Sequence, residues 1–391
     1  MNDLPTNRRQ WLRLSLGTGA LLGGATPGLC ASASNATAAT VASSGLAPAA
    51  MIWRSRRMQG LGTHLHLQAG QRVSAAGAVG TTAASAAAEA IADTKLAAAL
   101  DAAVQAIRHV EQQFSLYDPN SALCRLNREG VLHQPHPDFV RLMRVAQHVS
   151  AQSGGHFDAT VQPLWAVWQH AITQGRLPTA QEINHAKARV GWQKVEVSAN
   201  KIRFLQPGMG ITLNGVAQGF AGDLAQAALR AHGIEHALLD TGEWLMQGQA
   251  PGGEPWRLGL QHPRAQHPEA GVAAGNQPVP AGLATSHQLL AKLTTDGRAV
   301  ATSSDVNQRF SANGTHHHIF NPATGYSPRG LASITVLAGS GAMADALTKV
   351  MFMGDVAQAM RLAQRWQVDV LAVDKAGRWQ ATRGLQKNLE S

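Results

Sequence analysis

Asn214-Gly-Val-Ala-Gln-Gly-Phe-Ala-Gly-Asp223 reads as a glycine-containing turn that runs into a helix over 217–232, and a strand follows at 235–240. Working outward, short strands are expected near 194–205, and a helix over about 137–153 stops at Gly154-Gly155. Leu96, Leu100, Val104, Ile107, Val110 and Phe114 recur every three or four residues, which predicts a helix over 87–113. Asp118-Pro119-Asn120-Ser121 is a turn with Ser121 as the N-cap of a further helix. Leu61-Gly-Thr-His-Leu-His-Leu67 alternates as a strand does. Downstream, strands near 298–302 and 332–338, a helix from about 342 and a strand near 368–373 complete the body. Strands and helices mix without regular alternation, so the fold class is α+β rather than a doubly wound sheet. The Gly/Ala/Ser/Thr stretch 69–86 and the low-complexity stretch 262–284 read as surface loops.

Composition narrows the function classes. The chain has 391 residues, 45% of them apolar, enough for a sizeable core. Its charge of +9 comes from 33 Lys+Arg against 24 Asp+Glu, scattered along the chain. That pattern favours solubility over a nucleic-acid-binding stripe. Two cysteines, neither in metal-ligand spacing, exclude a disulfide scaffold and a thiolate zinc site. No apolar run is long enough to span a membrane in the mature chain.

The N-terminus predicts a compartment. Asn7-Arg-Arg-Gln-Trp-Leu-Arg13 precedes a weakly apolar run, the pattern of a twin-arginine export signal, with Ala31-Ser-Ala33 as the cleavage site. The expected organisation is a signal over 1–33, a flexible leader over 34–50 and one domain over 51–391. The expected location is the periplasm. Gly17-Thr-Gly-Ala-Leu-Leu-Gly23 mimics a dinucleotide fingerprint, but no strand precedes it and it lies inside the signal.

Five segments carry chemistry: 114–127 with Tyr117; Gly154-Gly-His-Phe157-Asp158-Ala-Thr160; Asn214 to Asp223 with Gly215 and Gln218; Ala299-Val-Ala-Thr302-Ser303 through His316-His-His-Ile319 to Gly325; and Ala342-Met-Ala-Asp345-Ala-Leu-Thr348-Lys349. In this order they resemble the FAD:protein FMN transferases, the ApbE-like flavin transferases, over nearly the whole mature chain. The resemblance implies FAD, a divalent metal (usually Mg²⁺), and attachment of FMN through a phosphoester to a Ser or Thr of a partner flavoprotein, with release of AMP. Some members hydrolyse FAD instead. An alternative from another class is a non-catalytic FAD-binding maturation or partner protein of a respiratory complex.

By the same resemblance, Leu61, Tyr117, Phe157, Asp158, Thr160, Thr212, Gln218, Asp223, Thr302 and Ile319 fall at cofactor-binding positions. Gly215 and Asp345 fall at metal-binding ones. Glycines at 215 and 219 suit close backbone approach to a phosphate at a helix N-terminus. A carboxylate suits Mg²⁺. Asp158 equally suits a capping role. The family expects a hydroxyl where Lys349 stands; Thr348, one residue early, is the nearest candidate, displaced by about 100° around the helix. An ammonium there would repel a cation or itself neutralise phosphate. The three histidines alternate in direction and cannot converge on one ion; His318 is the candidate base, with His317 second. Gln218 replaces a common lysine, Thr212 replaces an acid, and Asp240-Thr-Gly-Glu243 replaces Asn-x-Gly-Gly. This combination resembles an exported subgroup linked to nitrous oxide respiration. Cys124 reads as a small, partly buried residue rather than a nucleophile.

Overall fold

The computed structural model describes residues 51–73, 82–264, 289–306, 308–311 and 314–390. The signal, the leader, residues 74–81 of the stretch 69–86 and most of the stretch 262–284 lie outside these residues. What is described of 69–86 is regular: 69–72 end a strand and 82–86 begin a helix, so the expected loop is shorter than its composition suggested.

An eight-stranded sheet forms the centre, in the order β1-β2-β6-β7-β10-β11-β12-β13 with antiparallel pairing throughout. Its strands are β1 (Met51–Gly60), β2 (Thr63–Arg72), β6 (His236–Asp240), β7 (Trp244–Gln247), β10 (Ala299–Ser304), β11 (Leu331–Ala338), β12 (Asp369–Asp374) and β13 (Trp379–Ala381). Every residue of β11 is buried, as a central strand covered on both faces requires. Ile334 and Val336 join the main core, whereas Leu337 packs with Leu258 and Leu293 on the opposite face. A second sheet, β14-β9-β8, forms that opposite layer, from β8 (Arg257–Gln261), β9 (Leu289–Thr294) and β14 (Leu389–Glu390). A third pairs β3 (Val131–His133), β5 (Lys201–Phe204) and β4 (Val195–Val197).

The helices are α1 (Thr82–Phe114), α2 (Ala122–Glu129), α3 (Pro137–Gln152), α4 (Gln162–Thr173), α5 (Ala180–Lys187), α6 (Ala217–Ala231), α7 (Gly341–Phe352), α8 (Val356–Trp366) and α9 (Arg383–Gln386). The apolar stripe of α1 is buried from Leu96 to Phe114 and packs on α6; α7 lies on β10 and β11. Ser121 caps α2 by accepting the Cys124 N–H, as expected. Strand β1 was not anticipated because Arg54, Arg56 and Arg57 break its apolar pattern at the sheet edge. Among the described residues no helix is long and apolar enough to cross a membrane.

Helices α6 and α7 meet backbone to backbone. A Cβ on Gly219 would lie 2.0 Å from the Gly341 carbonyl oxygen, and one on Gly341 would lie 2.3 Å from that of Gly219. Neither backbone can yield as the end of a flexible side chain would. Gly341→Ala is therefore expected to lower the unfolding free energy by roughly 1–3 kcal/mol through overpacking. An unchanged urea midpoint would contradict the crossing.

Candidate functional site

The glycine crossing brings the start of α6 against the start of α7, and two acids depend on it. Asp223, on α6, caps α7 from outside: its two oxygens accept the Gly341 N–H at 2.6 Å and the Ala342 N–H at 3.0 Å. That carboxylate is consumed by the helix start, where negative charge is favoured. Asp345, one turn further along α7, is fully buried and directs Oδ2 at the Gly219 N–H, 3.4 Å away. Its Oδ1 accepts a short hydrogen bond from the ammonium of Lys349, one turn on. Acid before base at i,i+4 is the favourable order on a helix.

Lys349 reaches its partner by passing under the turn at Gly215. A Cβ on Gly215 would lie 3.3 Å from Lys349 Cε, a tight contact, and 3.5 Å from Phe157 Cε2, an ordinary one, so the glycine backbone gives room to the lysine stem. The lysine side chain is 22% exposed, so it is not sealed within the core.

The residues expected to hold Mg²⁺ do not fit it. Magnesium needs oxygen atoms free to surround it. One oxygen of Asp345 is taken by Lys349 and the other faces Gly219. The buried Thr348 hydroxyl donates to the Asp345 carbonyl at 2.7 Å and shares a second hydrogen bond with Ser303 Oγ, also at 2.7 Å. A cation is already in place, covalently attached to the chain.

A further acid, noticed in the sequence only as a departure, completes this cluster. Glu243 is buried at the start of β7 and accepts the Thr302 N–H at 3.2 Å. Burial, reinforced by the charge of Asp345 and opposed by Lys349, pushes its carboxyl well above the usual range. Asp240, at the end of β6, is pushed up to about 6 by burial against a single opposing Gly242 N–H. Both lie on one tight turn, and Gly242 is pressed against Gln218, whose Nε2 would be 2.6 Å from an added Cβ.

Gln218 links this floor to the β1–β2 hairpin by donating to the Leu61 carbonyl at 3.4 Å. Leu61 and Gly62 form a two-residue turn with φ of +51° and +79°, the sign a type I′ hairpin needs. The Leu61 N–H donates to Glu111 Oε1 at 3.1 Å, which helps hold a leucine in a conformation leucine resists. Thr212 lies half-buried just before the turn, accepting the Asn214 N–H at 3.3 Å.

Other candidates have structural work. Asp158 uses both oxygens: Oδ1 accepts from the Thr160 N–H and hydroxyl at 2.8 and 2.6 Å, Oδ2 from the Trp192 N–H at 3.0 Å. Thr160 in turn accepts the Gly191 N–H at 2.7 Å. The capping alternative for Asp158 is thus the geometry observed. Phe157 and Ile319 are core residues. Thr302 is exposed, and its hydroxyl meets that of Thr335 at 2.9 Å. Tyr117 stands 76% exposed between α1 and α2, a free aromatic face.

The histidines separate by environment. His317 is fully buried; its Nδ1 accepts the Ile319 N–H at 3.4 Å and its Nε2 lies 3.3 Å from the Pro328 carbonyl. With both ring nitrogens engaged it braces the segment and has no nitrogen left for a substrate proton. His318 is the opposite case: its Nδ1 is buried without a hydrogen-bond partner. Burial, with the charges of His317 and Lys349 adding, pushes its pKa down to about 4, so the ring is neutral at pH 7. His316 packs on Trp168 at 5.0 Å between ring centroids. Trp168, anchored to the Gly325 carbonyl at 2.9 Å, fixes the chain on either side of the histidines.

Known proteins resemble the chain in sequence and in fold. The model of the ApbE family matches residues 62–372. The FAD:protein FMN transferase of Vibrio cholerae serotype O1 is 27% identical over 279 residues, covering 69% of this chain and 77% of that protein. The FAD:protein FMN transferase of Haemophilus influenzae is 25% identical over 271 residues, 66% of this chain and 73% of its own length. Among solved structures, the ApbE protein of Thermotoga maritima superposes with a TM-score of 0.70 at 21% identity, covering 87% of this chain and all of that one. The flavinyl transferase ApbE of Pseudomonas stutzeri, in its apo form, gives 0.65 at 23%, covering 86% and 97%.

Removing the outside cap tests how the floor is built. Asp223→Ala leaves two N–H groups of α7 unpaired and is expected to lower the unfolding free energy by about 2–3 kcal/mol in urea denaturation. A loss below about 0.5 kcal/mol would show that Asp223 does not hold α7.

Proposed function

The chain belongs to the ApbE family, and on that premise we propose that it transfers FMN from FAD to a Ser or Thr hydroxyl of a partner flavoprotein, releasing AMP. The observation that carries this reading is the neutral imidazole of His318, whose Nδ1 has no hydrogen-bond partner and which feels the charge of Lys349 beside the Gly215 turn. Phosphoryl transfer asks for little covalent chemistry from the protein; it needs positioning, charge neutralisation and a proton acceptor. The pyrophosphate of FAD lies against the turn at Gly215, where the missing Cβ favours close approach; the Ala217 and Gly219 N–H groups of α6 are already bonded to Leu213 and Asp345. The hairpin at Leu61, held by Gln218 and Glu111, borders the flavin side, with Tyr117 offering a stacking face. The acceptor hydroxyl enters beside His318 and attacks the FMN-side phosphorus in line as AMP departs. Because the donor set at Asp345 does not suit Mg²⁺, no step in this account passes through a metal.

The N-terminal Arg8-Arg9 pair supports export by the twin-arginine route, and so a periplasmic partner, a redox flavoprotein of the cell envelope. Replacing both arginines by lysine should retain the protein in the cytoplasm, as read by cell fractionation; unchanged export would remove this assignment.

The transfer reading is tested with FAD and an acceptor domain, following covalent flavin fluorescence and free AMP. His318→Ala should slow transfer by ~10²–10⁴-fold. The base works only as neutral imidazole, present above its pKa and lost below it. For wild type, kcat/KM should therefore hold from pH 8 down to about pH 5 and fall near pH 4. A limb at an ordinary histidine pKa, near 6.5, would exclude His318 as the base. FAD bound tightly but never consumed, with every acceptor tried, would instead make the protein a flavin-binding maturation factor.

A further inference from the structure

We propose that the ammonium of Lys349 is the resident cation of this site, touching the pyrophosphate of FAD directly, so that the protein transfers FMN without a divalent metal. The inference rests on the transfer reading above for its substrate, but its geometry is independent of it. Lys349 donates to Asp345, whose carboxylate has no exposure and whose second oxygen faces the Gly219 N–H. The lysine stem runs along Gly215, within 3.3 Å of where a Cβ would stand. Any side chain at 215 would press on this stem, and any ion bound to Asp345 would have to displace its head.

An ammonium carries three donors. One is used on Asp345, which leaves two for phosphoryl oxygens entering past the Gly215 turn. The partial exposure of the side chain, 22%, fits a head that is anchored on one side and open on the other. The surroundings agree. Glu243 is a second buried acid acted on by this charge, and burial together with Asp345 raises its pKa. Gln218 at the same floor brings hydrogen-bond donors and no charge. Lys349 is thus the cation the chain supplies there.

The reaction balances without a further reactant. The acceptor oxygen bonds to the FMN-side phosphorus, and its proton passes to the imidazole of His318. The bond from that phosphorus to the bridging oxygen breaks, its electron pair leaving with AMP. Lys349 keeps all three protons, one on Asp345, one donated to a phosphoryl oxygen and one to the bridging oxygen as charge builds on it. A single positive charge neutralises less than a dication does, so the transfer should be insensitive to metal rather than fast.

Two measurements on the full chain decide it. With EDTA, wild-type AMP release in the presence of FAD and acceptor should stay within about twofold of its rate with Mg²⁺, whereas a bound dication would be worth orders of magnitude. Mn²⁺ titrated into wild type plus FAD, read by the EPR signal of free Mn²⁺, should show no stoichiometric site. Lys349→Thr should lose ~10²-fold of its EDTA-resistant rate, the cost of one transition-state donor, and gain one Mn²⁺ site. Lys349→Arg, which keeps the charge, should remain metal-independent. Wild type that loses more than tenfold in EDTA, or that binds one equivalent of Mn²⁺, overturns the proposal. Should wild type release no AMP under any condition, the transfer reading fails, and the Mn²⁺ titration still decides whether a lysine occupies the cation site. Should Lys349→Thr not fold, the two wild-type measurements suffice.

Discussion

The contact between two peptide backbones at Gly219 and Gly341 is the constraint on which the rest of the site depends. Two helices can approach this closely only where neither carries a Cβ. Here the added atoms would sit 2.0 and 2.3 Å from carbonyl oxygens of the opposing chain. At that separation the carboxylate of Asp223 reaches the first N–H groups of α7, and Asp345 reaches the N–H of Gly219. A side chain at either glycine would push α7 outward and take Asp345, Thr348 and Lys349 with it. The sheet cannot accommodate such a shift, because α7 lies on β10 and β11, and β11 is buried on both faces.

The second organising fact is electrostatic. Removing one member of a buried ion pair leaves the other without compensation and is strongly destabilising, by about 3–5 kcal/mol. Asp345 and Lys349 therefore hold each other in place as firmly as packing would. The pair is not wholly closed off, because the lysine side chain, whose stem runs beside Gly215, keeps 22% of its surface exposed. The same turn of α7 thus gives a rigid floor and a charge facing the ligand. The charge also reaches His318 and Glu243, lowering the pKa of one and restraining the rise of the other.

Much of this was legible in the sequence, and what was not has identifiable causes. Helices α3, α6 and α7 were placed within a residue or two because their apolar periodicity ends at glycines, prolines or capping residues. The start of α1 was not, since alanine-rich sequence looks the same in a helix and in a loop. Helices α4 and α5 were passed over although Pro163 and the Thr179–Glu182 capping box mark their first turns. The role of Asp223 was hidden for a different reason: its partner lies 118 residues away, and an acid before a helical stretch looks the same whether it binds a ligand or a backbone. For Asp158 the local cap on Thr160 is legible, whereas its bond to Trp192 spans 34 residues. The i,i+4 spacing of Asp345 and Lys349 was plain, but that the lysine stem lies beside Gly215, more than a hundred residues earlier, was not. Separating His317 from His318 required knowing which nitrogens were already bonded.

The most direct test of the account is a crystal structure of the protein with FAD, grown with millimolar Mg²⁺ so that a metal has every opportunity to bind. The account predicts Lys349 Nζ within about 3 Å of a pyrophosphate oxygen, still bonded to Asp345, with no ion between protein and phosphate. An ion coordinated by Asp345 and the pyrophosphate, with the Lys349 side chain turned out of the site, would contradict it.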